Sequence, residues 1–167
     1  MTKVQHDSET PAQGQQVFSA CALIHQTIDG VPRIFVAQRA HTKKILPGVY
    51  EIPGGHIDFG ETITDGLMRE IHEEFQVNVR LGDPFYVFDY HNPVKGSHTI
   101  EVIYFATLVD SADAIVLHPE DHAGSKWISE DEIESIYAGP KGADDPEIKA
   151  IRKAFTLLKG KPLNFGQ

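Results

Sequence analysis

The sequence predicts a single domain of the α/β (α+β) class, a sandwich in which a mixed sheet is covered by two or three helices. Three observations carry that expectation. Strand-like runs alternate with helical patterns along the chain rather than being segregated from them. Residues 62–76 repeat their apolar side chains at the helical period. A length of 167 residues, 41% of them hydrophobic, suits one core of ordinary size.

The elements follow in order. Residues 1–16 are polar and read as a flexible tail, with one domain over 17–160 and a short C-terminal tail over 161–167. Val17–His25 is an unbroken, mostly apolar run and is expected to be a buried strand. Asp29-Gly30 before Pro32 signals a turn, so Arg33–Gln38 should return as the second strand of a hairpin. Residues 40–48 read as a loop, and Pro53-Gly54-Gly55 as a tight bend outside regular structure. Thr62–Gln76 should be a helix capped by Thr62 or Thr64. Val79–Tyr90 should be extended with a break at Gly82-Asp83-Pro84, and His91–Gly96 a loop. Thr99–Val109 is the most strand-like stretch. Ser125–Ile128 reads as a short strand, Glu130–Tyr137 as a short acidic helix and Pro146–Lys159 as a closing helix.

Charge and cysteine content remove several functions. The formal net charge is −9, from 15 Lys and Arg against 24 Asp and Glu, which disfavours a nucleic-acid groove. Cys21 is the single cysteine, so the chain has no internal disulfide and too few thiols for a cysteine zinc site. It reads as a core residue rather than a nucleophile. No apolar run reaches the roughly 18 residues that span a bilayer, so no membrane partner is expected. The start of the chain lacks a secretory apolar region, and a cytoplasmic location is expected. The acidity is uneven. Residues 55–77 hold Asp58, Glu61, Asp65, Glu70, Glu73 and Glu74 against Arg69 alone.

On a helical wheel at about 100° per residue, Ile63, Leu67, Ile71, Phe75 and Met68 form one apolar stripe. Glu70 and Glu74 fall within about 20° of its leading edge, and Glu73 about 80° outside it. Clustered half-buried carboxylates destabilise a helix unless a cation is present or they protonate. A hard divalent ion such as Mg²⁺ with oxygen ligands resolves that conflict. An exposed acidic face with Arg69 paired to Glu73 is the competing reading, and the helix alone does not choose. The preceding glycines, which let backbone approach a ligand, favour the ion.

The string Gly55-x5-Glu61-x7-Arg69-Glu70-Ile71-x-Glu73-Glu74-x-Gln76-Val77 resembles the Nudix box, G-x5-E-x7-R-E-U-x-E-E-x-G-U, with U a bulky aliphatic. The one departure is Gln76 in place of the last glycine, where the helix ends. Asn78 is then the candidate for the left-handed cap. The lead-in Pro47-Gly48-x-Tyr50-x-x-Pro53-Gly54-Gly55 is similar to the family's, as are Gln38-Arg39 and Trp127-Ile128-Ser129 with Glu132-Ile133. The likeness covers roughly residues 17–137, with the box as its diagnostic part.

The resemblance implies a Nudix-type α/β/α sandwich with a central mixed β-sheet. It implies hydrolysis of a nucleoside diphosphate linked to another moiety, with Mg²⁺ or Mn²⁺, by attack of water on phosphorus. Glu70, Glu73 and Glu74 would hold the metal, aided by the Gly54 backbone and Glu61, while Arg69 orients the carboxylates. Glu120 is the candidate general base, with Glu73 and Glu74 as alternatives. Arg39, Gly55 and Tyr50 are candidates to face the substrate. The expected substrate is a nucleoside triphosphate, handled by a house-cleaning pyrophosphohydrolase, and a homodimer is compatible with the family. Two other substrates stay open. Pro93, sixteen residues past Val77, matches a feature of some ADP-sugar hydrolases, and Tyr86 and Tyr90 leave a dinucleoside polyphosphate. The rival of another class is a catalytically dead nucleotide-binding module, although such modules generally lose box carboxylates that are all present here. Phe85, Tyr86, Phe88 and Tyr90 read mainly as strand packing. The nine histidines read as ordinary surface or strand residues, with His56 after the glycines as the one exception. Substrate choice is expected to reside in loops 26–32, 40–48 and 91–98.

Overall fold

The computed structural model describes residues 9–160. The elements are β1 (Gln16–Ile28), β2 (Val31–Arg39), β3 (Tyr50–Glu51), β4 (Gly54–His56), α1 (Ile63–Phe75), β5 (Val79–Asn92), β6 (Ser97–Leu108), β7 (His122–Ile128) and α2 (Pro146–Leu158). 3₁₀ segments cover Ala112–Ala114 and Glu130–Ile136. The second is the expected short acidic helix, wound as 3₁₀ and ending at Ile136. The first had no counterpart in the sequence reading.

The long β1 organises the sheet. Its first half pairs in parallel with β6, from Gln16↔His98 to Ile24↔Ala106, and β6 continues antiparallel into β5. Its last residues turn into β2 through Asp29 and Gly30, both at positive φ (51° and 78°). That is the two-residue hairpin geometry that the Asp-Gly pair favours. β2 carries β3 on its path and also pairs with β7, and β4 pairs antiparallel with β1. The sheet is therefore mixed and is covered on both sides. Leu67, Ile71 and Phe75 of α1 pack on Ala20, Ala22 and Ile24. Ile148, Ile151 and Phe155 of α2 pack on the other side, on Leu23 and Ile103. Ile63 and Met68, expected in the α1 stripe, are exposed instead. The stripe has narrowed to the residues four apart.

Three further departures have physical causes. Pro53-Gly54-Gly55 does not stop regular structure: Gly54 and Gly55 open strand β4 and pair with Cys21 and Ala20. Neither has a positive φ. A Cβ on Gly54 would lie 2.2 Å from the Ala20 carbonyl oxygen, so glycine is used for close approach. β5 extends two residues into the predicted loop, to Asn92, and the turn begins only at residue 93. Its break at Gly82-Asp83-Pro84 appears as register shifts against β6 at Leu81, Pro84 and Tyr86. Of the expected N-terminal tail, Ala12 is buried, and Ala12 and Gly14 donate to the Lys95 and Gly96 carbonyls. Residues 1–8 and 161–167, which make up the rest of the two expected tails, lie outside the described residues. Among the described residues no helix is long and apolar enough to cross a membrane.

Thr62 caps α1, its hydroxyl accepting from the Asp65 amide at 3.1 Å. The other end is closed by Gln76, which takes the left-handed conformation itself (φ 55°), so Asn78 is not the cap. Side chains in that region are strained by about 1–2 kcal/mol. Gln76→Gly is therefore expected to stabilise the protein by roughly 0.5–1 kcal/mol, after allowing for glycine's extra chain entropy. Urea unfolding measures this directly, and an unchanged or lower stability contradicts it.

Candidate active site

The site is built where β4 runs between β1 and α1. Gly55 faces the helix. A Cβ there would lie 2.4 Å from a Glu70 carboxylate oxygen, so the missing side chain is what lets Glu70 sit against the strand. The Gly55 position thus serves the helix side of β4, and His56, one residue on, is buried on the other side.

Arg69 ties the acids together. Its Nε and Nη2 donate to the two oxygens of Glu61 at 2.8 and 2.9 Å, and its Nη1 donates to Glu70 at 2.7 Å and Glu73 at 3.1 Å. Nη2 also donates to the His56 carbonyl at 3.2 Å, linking the helix to β4. The Glu61 hydrogen bonds hold the guanidinium charged, well above its ordinary range. Glu61 in turn accepts from the Asp58 amide at 3.0 Å. Arg69 is thus a positioning residue, and Glu61 is its main partner.

The carboxylates differ in environment. Burial pushes Glu70 up to about 7 against the opposing hydrogen bond from Arg69. Burial also raises Glu74, opposed by the hydrogen bond with His122. Glu73 is half-exposed. His122 opens β7 with its side chain only 3% exposed, and its Nε2 lies 2.8 Å from Glu74. Its ring stacks on Phe75 at 4.7 Å. His122 was not distinguished from the other histidines in the sequence. Its partner lies 48 residues away, and no local spacing pointed to it.

Glu70, Glu73, Glu74 and His122 line one end of a cleft of about 700 Å³, whereas Arg69 and Glu61 do not line it. Glu120 is exposed at its rim. The neighbouring Asp121 is committed to Lys43 at 2.6 Å and His118 at 3.0 Å. Arg39 also lines the cleft. Its Nε donates to the Ile45 carbonyl at 3.1 Å, and Nη1 is 3.3 Å from Glu51, so it braces loop 40–48. The Tyr50 ring is not among the cleft's lining residues. Lys126 Nζ lies 4.4 Å over it. Pro93 is exposed in the turn after β5 and does not line the cleft.

The donor set suits a hard divalent cation. Glu70, Glu73 and Glu74 offer oxygens from one helix edge, next to backbone that only glycine allows so close. As placed, the three are directed to Arg69 and His122. Among the described residues no three Asp, Glu, His or Cys side chains converge on a point. Each contact takes one carboxylate oxygen: Oε1 of Glu70 and Oε2 of Glu73 accept from Arg69, and Oε2 of Glu74 lies on His122.

The far end of the cleft is lined by Cys21, Phe88, Tyr90, Glu101, Lys141 and Glu147. Glu101 is buried and accepts from the Ser19 hydroxyl at 2.9 Å and the Cys21 thiol at 3.2 Å. Lys141 is ion-paired with Glu147 and donates to the Tyr50 carbonyl at 2.8 Å, while Glu147 accepts from the Ile52 amide. Burial pushes Glu147 up to about 7 despite Lys141. Residues lining the cleft thus lie on β1, β5 and β6 as well as in loop 40–48, whereas none comes from the expected loop 26–32.

The NUDIX domain family model matches residues 18–153. The RNA pyrophosphohydrolase of Erythrobacter litoralis (strain HTCC2594) is 31% identical over 116 residues, covering 60% of this chain and 70% of that protein. The human m7GpppN-mRNA hydrolase NUDT17 is 24% identical over 140 residues, covering 75% of this chain and 42% of the relative. The frog and cattle proteins of that name are spanned over 20% and 24% of their length. The chain thus spans less than half of these longer relatives. Among solved structures, a MutT protein from Methanosarcina mazei Go1 superposes with TM-score 0.67 at 19% identity, over 92% of this chain and 99% of that one. A C. elegans Ap4A hydrolase binary complex superposes with TM-score 0.68 at 22% identity, over 86% and 98%.

Proposed function

The chain belongs to the NUDIX-domain family, and on that premise we propose that it hydrolyses a pyrophosphate bond with Mg²⁺ or Mn²⁺. The proposed substrate is a nucleoside diphosphate linked to a further group, most simply a nucleoside triphosphate. One observation carries the reading: Glu70, Glu73 and Glu74 lie with the Gly54–Gly55 backbone at one end of a single cleft. Its volume of about 700 Å³ falls within the range of small-ligand sites. The relatives' names point the same way, since RNA pyrophosphohydrolase, m7GpppN-mRNA hydrolase and Ap4A hydrolase all imply attack on a phosphoanhydride.

Glu70, Glu73 and Glu74 would hold the metal, with the Gly54 carbonyl and Glu61 in support. A bound divalent ion supplies charge screening of the phosphates and a more acidic water. Arg69 keeps Glu70 and Glu73 in register while Glu61 fixes its guanidinium. His122 holds Glu74 at the cleft. Glu120 accepts the proton of the attacking water. It sits at the rim with no ion pair among the described residues, whereas Asp121 is taken by Lys43 and His118. Arg39 and Gly55 face the substrate's phosphates. The intact set of box carboxylates weighs against a purely binding module.

The test is turnover by the purified chain on nucleoside triphosphates, ADP-ribose and diadenosine polyphosphates, with products identified. Activity is expected with Mg²⁺, lost with EDTA and restored by Mg²⁺ or Mn²⁺. Absence of turnover on every substrate, or full activity in EDTA, overturns the proposal.

A further inference from the structure

The strand register sets four side chains in a row across the sheet: His56 on β4, Ser19 on β1, Glu101 on β6 and Phe88 on β5. Directly paired residues share a face, so this row forms the floor of the cleft. Glu101 lies two strands from β4, roughly 10 Å at the usual strand spacing. That is within reach of a ribose and base from a diphosphate held at Gly54–Gly55. Beside Glu101, the Phe88 and Tyr90 rings lie edge by edge, 6.1 Å apart and tilted by 30°. They make an apolar shelf wide enough for a purine to stack on.

Glu101 is a buried acid with no part in holding the metal. Its two oxygens accept from a hydroxyl and a thiol, and among the described residues it has no ion pair with Lys or Arg. Burial is the main cause that pushes its carboxyl up, with the Glu51 charge adding to it, while those two hydrogen bonds and the Lys141 charge oppose the shift. Each carboxylate oxygen can accept about two hydrogen bonds. One acceptor position therefore remains on each oxygen, side by side.

From this arrangement the geometry points to Glu101 as the residue that selects the base, accepting the N1–H and N2–H of a guanine stacked on Phe88 and Tyr90. Guanine is the base whose Watson–Crick edge carries two adjacent donors. Adenine and cytosine set one donor beside an acceptor, and uracil sets one between two carbonyls. The inference rests on the proposed function for where the diphosphate lies. The guanine is that of a 5′-polyphosphate, either of a free nucleotide or of an RNA 5′ end.

Equilibrium binding of GMP and AMP to the full chain tests it without needing turnover. Wild type is expected to bind GMP more tightly, on the order of tenfold or more for one bidentate pair. Glu101→Gln replaces one acceptor with a donor, so its preference should shift to AMP, an exchange that a merely structural role would not produce. Glu101→Met, which fills the same space, should bind both alike. Equal or weaker GMP binding by wild type overturns the assignment, as does an unchanged preference in both variants. Should Glu101→Gln not fold, the wild-type ratio and Glu101→Met still decide. A guanine preference without hydrolysis would leave Glu101 assigned and sink the hydrolase reading instead. Hydrolysis of GTP against a 5′-triphosphorylated oligoribonucleotide beginning with G identifies which source supplies the base.

Discussion

Glu74→Gln is expected to lower kcat by a factor on the order of 10² to 10³ without unfolding the protein. Both halves follow from where Glu74 sits. Of the three cleft carboxylates it is the one in contact with β7, through His122, and burial already disfavours its charge. Gln keeps an oxygen for His122 but removes the negative charge a divalent ion needs. The metal-free fold therefore loses a mostly buried charge and should melt at the wild-type temperature or slightly above it. Mg²⁺ should raise the melting temperature of wild type and have much less effect on the variant. Glu120→Gln separates binding from proton transfer. It should lower kcat while leaving the Mg²⁺-induced rise in melting temperature in place. Wild-type turnover by Glu74→Gln would remove Glu74 from the metal site. A melting temperature many degrees lower would mean that the residue's role is structural.

The parts of this protein legible in its sequence are those governed by local rules. The Asp29-Gly30 hairpin, the Thr62 cap and the Leu67–Ile71–Phe75 stripe each depend on residues within a few positions of one another. The acid cluster was legible for the same reason, since Glu70, Glu73 and Glu74 share one helix. What was missed depends on register. Gly54 and Gly55 read as a bend because glycine permits one, but the Ala20 carbonyl 2.2 Å from a Gly54 Cβ makes them a tight strand. Asn78 is favoured over Gln76 by local rules because Gly and Asn are the usual left-handed caps. Here the helix ends two residues earlier, and the Gln76 amide donates to the His72 carbonyl at 3.0 Å. His122 meets Glu74 across 48 residues, and Glu101 meets Ser19 across 82. Neither pair exists until β7 lies on β2 and β6 on β1. A buried acid such as Glu101 was indistinguishable in sequence from any polar residue alternating along a strand.

The second large effect is on stability, at the pair that closes the far end of the cleft. The Lys141 side chain is 5% exposed and that of Glu147 11% exposed. Glu147 accepts from the Ile52 amide, and Lys141 donates to the Tyr50 carbonyl. The pair thus holds both ends of the segment that leads into Gly54–Gly55. Removing one partner of a buried ion pair leaves the other charge uncompensated, at roughly 3–5 kcal/mol. Lys141→Met should lose about that much at pH 8. The loss should shrink in acid, and the sign follows from Glu147. Its folded pKa is already raised to about 7 and rises further without Lys141. A carboxyl raised on folding favours the folded state below its unfolded value of about 4.3, and that advantage fades as pH climbs through the folded value. Urea unfolding of Lys141→Met should therefore show stability falling from pH 5 to pH 8, more steeply than in wild type. Lys141→Met with Glu147→Gln should recover most of the loss and flatten the profile, because Gln still accepts from Ile52 and carries no charge to strand. A loss below about 1 kcal/mol, the level of an exposed pair, or one independent of pH, would mean that solvent reaches Glu147 and that the cleft's far wall is held by α2 packing alone. In that case KM should be unchanged, whereas a loosened Tyr50–Gly55 segment raises it.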